Sequence, residues 1–175
     1  MTRKYDVKPT GVERFFDEDE LIVSKTNNKG LLTYANDIFL RLAGFQEDEV
    51  IGQPHNLIRH PDMPRAVFKL LWNKVQSGHE IFAYVINMSK NGDHYWVLAH
   101  VTPSYDNNGN IVGYHSNRRL PSRSAIETIK PVYARLLAEE KRHHSPSAAI
   151  DASTQLLADI LKASNISYDE FVFSL

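Results

Sequence analysis

The sequence contains no cysteine. Disulfides, cysteine-ligated zinc, thiol nucleophiles and flavin photochemistry through a cysteine adduct are excluded together. Long hydrophobic runs are missing too, and no stretch approaches the ~20 apolar residues that a membrane-spanning helix needs. The opening residues, MTRKYDVKPTG, lack an apolar signal core, so the expected location is the cytoplasm, without direct membrane insertion. Neither sign of charge dominates. The 20 Lys and Arg residues face 21 Asp and Glu, for a formal net charge of −1. That balance gives no electrostatic footprint for nucleic acid or an anionic membrane.

What is present is ordinary material for a folded domain: 175 residues, 42% hydrophobic and 23% charged. Three glycine-bearing turn clusters stand out, Asn27-Asn28-Lys29-Gly30, Lys90-Asn91-Gly92-Asp93 and Asp106-Asn107-Asn108-Gly109. Each lies between segments that read as strands, so each predicts a hairpin. The strands are Glu20–Ser24, Leu31–Ala35, Ile81–Ser89, His94–Pro103 and Ile111–Asn117. Between the second and third lies helical sequence. Asn36 or Asp37 caps a short helix through Leu42, Gln46–Ile51 reads as a single turn, and Pro64–Gln76 has the spacing of a longer helix. The expected fold class is α+β, a five-stranded antiparallel sheet with short helices on one face.

The last third is helical. Ser124 and Glu127 have capping-box spacing for a helix toward Glu140, with Pro131 expected to kink or divide it. Ala148–Lys162 carries an apolar stripe. Ser167 and Glu170 form a second capping-box pattern before the apolar end, Phe171 to Leu175, which is expected to dock on its own sheet or on a partner. The expected organisation is an N-terminal segment over 1–14, a sheet-bearing domain over 15–120 and a helical extension over 121–175.

The most unusual stretch is HNLIRHPDMP, His55 to Pro64. Pro61 and Pro64 push His60 and Met63 toward extended backbone. Pro64 fits the first turn of the following helix, and Asp62 falls at or near its N-cap. Two readings remain open. Asp62 can be a cap, with Arg59 and the histidines solvated. Alternatively the stiff backbone holds Arg59, His60 and Asp62 around an anionic ligand, with Arg59 on phosphate oxygens and the helix N-terminus adding a favourable field. Zinc fits poorly, because His55 and His60 are five apart and no second cluster supplies ligands. The serines near His94, His100 and His115 show no nucleophile-elbow pattern, and no substrate-binding signature marks an enzyme. On the third strand, Asn87 is the polar member of the row Ile81, Ala83, Val85, and a buried amide needs partners. Phe68, Trp72, Tyr95 and Trp96 read as core or as the wall of a cofactor cleft.

The element order resembles a PAS domain, a sensory fold of one antiparallel sheet whose helices enclose a cofactor pocket. More closely, it resembles the FAD-binding PAS domains of the aerotaxis-receptor type. The stretches that carry the resemblance are ANDIF at Ala35–Phe39, GQPHNLIRHPDMP at Gly52–Pro64, the helix with Phe68 and Trp72, and KNGDHYWV at Lys90–Val97. It covers roughly residues 15 to 120. The resemblance implies a non-covalently held FAD that reports redox or oxygen status. It implies cofactor-binding roles for Asn36, His55, Arg59, His60, Asp62, Trp72 and Asn87, with Phe68, Tyr95 and Trp96 as candidate wall residues. The expected protein is a non-enzymatic, stand-alone energy-taxis sensor that relays the cofactor's state by contact with a methyl-accepting transducer or another signalling protein. A homodimer is left open. Three alternatives remain: a haem-binding PAS gas sensor with His55, His60 or His115 as axial ligand, a cofactor-free PAS interaction module, and a flavoenzyme.

Overall fold

The computed structural model describes residues 7–175, so the first six residues of the expected N-terminal segment lie outside the described residues. The chain runs β1 (Ile22–Asn27), β2 (Leu32–Ala35), α1 (Asp37–Ala43), α2 (Glu47–Val50), a 3₁₀ turn (His55–Ile58), α3 (Arg65–Gln76), β3 (Ile81–Met88), β4 (His94–Tyr105), β5 (Ile111–Arg119), α4 (Arg123–Lys141), α5 (Pro146–Ala163) and α6 (Tyr168–Phe173). The five strands form one antiparallel sheet in the order β2-β1-β5-β4-β3. All three glycine-bearing clusters turn between adjacent strands. At Gly92 the backbone has φ +97° and a Cβ would run into the Lys8 carbonyl, so two separate constraints require glycine there.

Asn36 caps α1. Its side-chain oxygen accepts from the N–H of Phe39 (3.1 Å) and of Val23 (3.0 Å), while its amide donates to the Leu21 carbonyl (2.8 Å). One short side chain thus closes the helix start and fastens it to β1.

The start of α3 differs from the sequence expectation. Pro64 occupies the cap position and offers no side-chain acceptor. Asp62 stands apart with its side chain 69% exposed, and its own N–H goes to His60 Nδ1 (3.1 Å). The cap comes from far along the chain. Glu140 Oε1 on α4 accepts from the backbone N–H of Arg65 (2.7 Å) and Ala66 (3.3 Å), and from the Ser153 hydroxyl on α5 (3.1 Å). The anion at this helix N-terminus is therefore one of the chain's own carboxylates.

The two faces of the sheet follow from the period of two. Strand pairing aligns Ile22 with Arg118, Arg118 with Ala99, Ser24 with Ser116, Ser116 with Val101, and Asn87 with Tyr95. This inner face looks toward α3 and the 55–59 turn. Phe82, Tyr84, Ile86 and Trp96 lie on the outer face, against which α4 and α6 pack. The Tyr133 hydroxyl of α4 donates to the Tyr84 carbonyl, and its ring stacks with Trp96 at 6.1 Å. Phe173 of α6 packs on Phe82 at 4.8 Å, and Val172 is buried, so the apolar end of the chain docks on its own sheet.

Two further expectations are corrected. Ser122, not Ser124, caps α4, accepting from Ala125 N–H at 3.1 Å, while Glu127 pairs with Lys130. Ala125, Ile126 and Ile129 in the first turns of α4 are buried in the core. Pro131 does not divide the helix: buried residues on both sides, Ile129 and Tyr133, hold it against the rest of the fold. Among the described residues no helix is long and apolar enough to cross a membrane.

Candidate functional site

Between the inner face of the sheet, α3 and the 55–59 turn lies a cavity of about 530 Å³. Small side chains on the central strands, Ser24, Ser116 and Ala99, leave the room for it. Amphipathic α3 supplies one wall with Phe68, Leu71, Trp72 and Val75. Trp72 meets Tyr114 edge-on at 5.3 Å and lies over Gly30, where a Cβ would sit 3.0 Å from the indole.

Of the ten residues singled out in the sequence, the structure brings His55, Arg59, Phe68, Trp72 and Asn87 together on this cavity. The other five lie elsewhere. Asn36 is the cap described above, and Asp62 is at the surface. His60 is buried, with its ring edge-on to His94 at 5.7 Å, behind the turn. Tyr95 shares the inner face with Asn87 but is fully buried in the core rather than on the cavity wall, and that burial pushes its hydroxyl pKa up to about 12. Trp96 is on the opposite face against Tyr133, because consecutive residues of a strand cannot both face one side.

The dominant polar group is one that the sequence reading missed. Arg118 on β5 is 2% exposed. Its Nη2 donates to the Ser24 hydroxyl oxygen and to His55 Nε2 (2.6 Å), and its guanidinium lies 5.4 Å from the Phe39 ring centroid. Its Nη1 is buried with no hydrogen-bond partner. Burial pulls the Arg118 pKa down to about 10, still cationic near neutrality. The same burial, together with the Arg118 charge, pushes His55 down to about 3. His55 is therefore a neutral imidazole whose Nε2 accepts from the guanidinium. Asn87 Nδ2 is a second buried donor without a partner, and Thr26 Oγ1 is a buried hydroxyl also without one.

Arg59 stands at the rim. Its Nη2 donates to the Met63 carbonyl (2.7 Å), and its guanidinium lies 5.1 Å from the Phe68 ring centroid. Among the described residues, the cavity wall holds Lys29, Arg59 and Arg118 and no Asp or Glu. Buried donors without partners in a cationic, aromatic-walled cleft suit a planar, largely apolar ligand carrying acceptor atoms and negative charge. The signal for Arg118 was present in the alternation Tyr114, Ser116, Arg118, but the strand as read from sequence ended at Asn117.

Residues 32–118 match the family model described as the PAS fold. Over 129 residues, 73% of this chain, the sequence is 40% identical to the aerotaxis receptor of Escherichia coli strain K12. The chain spans about a quarter of that receptor's length. Over 80 residues it is 26% identical to phototropin-1A of Oryza sativa subsp. japonica, of which the match covers 9%. Among solved structures, the dark structure of the blue-light photoreceptor Aureochrome1 LOV superposes with a TM-score of 0.53 at 27% identity, covering 69% of this chain and 84% of the other.

Proposed function

The chain belongs to the PAS family, and on that premise we propose that it is a flavin-binding redox or oxygen sensor, with FAD as the cofactor. The observation that carries the reading is the Arg118 constellation: a buried cation with no carboxylate beside it among the described residues, a free Nη1–H, a neutral His55 and the unpartnered Nδ2 of Asn87, all on one aromatic-walled cavity. A bound flavin supplies an electron carrier whose ring gains negative charge on reduction. Arg118 would offer that ring a donor and Asn87 an amide that can turn to donate or accept, while Phe68, Trp72 and Tyr114 would exclude water around it. Arg59 at the rim takes the phosphate side.

A haem reading fits less well. Of His55, His60 and His115, only His55 lines the cavity, and its Nε2 lone pair is occupied by Arg118.

The proposed output runs through β3. Asn87 sits on that strand, and so does the Tyr84 carbonyl that holds Tyr133 of α4. A charge change at Asn87 biases the amide toward donating or accepting, and β3 passes the strain to the helices on its outer face. The sensory unit is then residues 15–120 and the relay unit 121–175, read by a signalling partner such as a methyl-accepting transducer.

The test is the visible spectrum of protein purified without added cofactor, followed by release and identification of what is bound. A flavin spectrum is expected. Protein that is colourless, and remains so after incubation with riboflavin, FMN and FAD, refutes the reading. Asn87→Leu should keep most of the flavin and lose the redox-dependent change in protease protection of α4. An unchanged protection pattern would remove Asn87 from the relay.

A further inference from the structure

A second cavity of about 600 Å³ lies between the Asn56–Arg65 segment and the corner joining α4 to α5. It meets the first at Asn56 and Arg59, which line both. The corner contributes Lys141 and Pro146, α4 contributes Leu137, and Arg65 projects from the first turn of α3. The fixed cations here are Arg59, Arg65 and Lys141, against one carboxylate, Glu140. Glu140 Oε1 is already engaged by two backbone N–H groups and the Ser153 hydroxyl. What remains is a positive field over apolar walls from Pro61, Leu137 and Pro146. Arg59, held at the junction by the Met63 carbonyl and the Phe68 ring, stands where the two spaces meet.

We propose that this second cavity receives the AMP half of a flavin dinucleotide, with the diphosphate passing Arg59, so that the α4–α5 corner selects FAD over FMN. The proposal rests on the flavin reading of the first cavity. Arg65 and Lys141 complement the second phosphate, and Leu137 and Pro146 cover a planar base. The same contacts tie the C-terminal helices to the cofactor's tail without passing through the sheet.

The test uses the full chain stripped of bound cofactor and titrated with riboflavin, FMN and FAD, followed by flavin fluorescence. FAD should bind at least tenfold more tightly than FMN. The double variant Arg65→Ala/Lys141→Ala should lose that advantage while its riboflavin affinity changes less than twofold. Both side chains are exposed, and the backbone N–H that Arg65 gives to Glu140 is retained, so a melting curve close to the parent's is expected. Equal affinity for FMN and FAD in the unmodified protein overturns the proposal and needs no variant. A FAD preference that survives the double substitution overturns it as well. Failure of all three flavins to bind would instead overturn the flavin reading, and this proposal with it.

Discussion

Replacing Arg118 with Met tests the electrostatic core of the site, because Met preserves much of the length and volume while removing the charge. Burial lowers the Arg118 pKa from 12.5 to about 10. At about 1.4 kcal/mol per unit, that shift corresponds to about 3 kcal/mol held against the charged form in the folded protein. Among the described residues no carboxylate offsets it on the cavity wall. A ligand that gains one negative charge within roughly 4–6 Å recovers about 3–4 kcal/mol at an effective dielectric constant near 20. For a one-electron couple, in which 59 mV is tenfold, this raises the potential by on the order of 100 mV. Arg118→Met should lower the first midpoint potential by that amount in a spectroelectrochemical titration. The cofactor-free variant should melt no lower than the parent. Relief of the buried charge outweighs the hydrogen bonds lost to Ser24 and His55, at about 1 kcal/mol each. A variant that holds flavin at full stoichiometry with a potential within about 20 mV of the parent's would show that the charge does not act on the ring, and the reasoning would fail.

His55 makes stability depend on acid. Its folded-state pKa of about 3 lies below the ordinary 6.5, so between these values the unfolded chain carries a proton that the folded chain does not. Stability is complete above about pH 6.5 and falls as pH drops toward 3, by up to about 5 kcal/mol in total and about 3 kcal/mol at pH 4.5. Urea denaturation of the cofactor-free protein at pH 7 and 4.5 should show this loss, and His55→Gln should reduce it; equal losses in both proteins would assign the acid sensitivity to other groups. Glu140→Ala leaves the first N–H groups of α3 without their acceptor, at roughly 1–2 kcal/mol. That corresponds to a melting temperature lower by several degrees for a chain of this size, with Glu140→Gln recovering part of it. A melting curve unchanged in Glu140→Ala would mean that water replaces the carboxylate without cost.

The parts of the molecule legible in the sequence are those whose physics is local. The hairpins were readable because Gly30, Gly92 and Gly109 adopt positive φ within their own turns. The Asn36 cap and the Ser167–Glu170 capping box were readable because donor and acceptor lie within a few residues of one another. The alternating rows of β3 were readable for the same reason, and they placed Asn87 in one row with Ile81, Ala83 and Val85, which the structure shows to be the inner face. Asp62 fills neither of the two roles open to it in the sequence: it lies at the surface, off the cavity, and the acceptor at the start of α3 is the distant Glu140. Tyr95 and Trp96 were grouped as wall residues although the period of two separates them.

The sequence by itself determined the order of strands and helices along the chain and the absence of thiol chemistry, and it put His55, Arg59 and Asn87 forward as candidates. Only the tertiary structure decided that Arg118 meets His55, 63 positions away, with an N–H left over and no Asp or Glu on the cavity wall among the described residues. It alone decided too that Glu140 fills the helix end that the sequence had offered to a ligand. The reason is that a charge's meaning depends on what surrounds it. Burial and partners are set by strands and helices brought together from distant parts of the chain, and no short window of sequence contains both sides of such a contact.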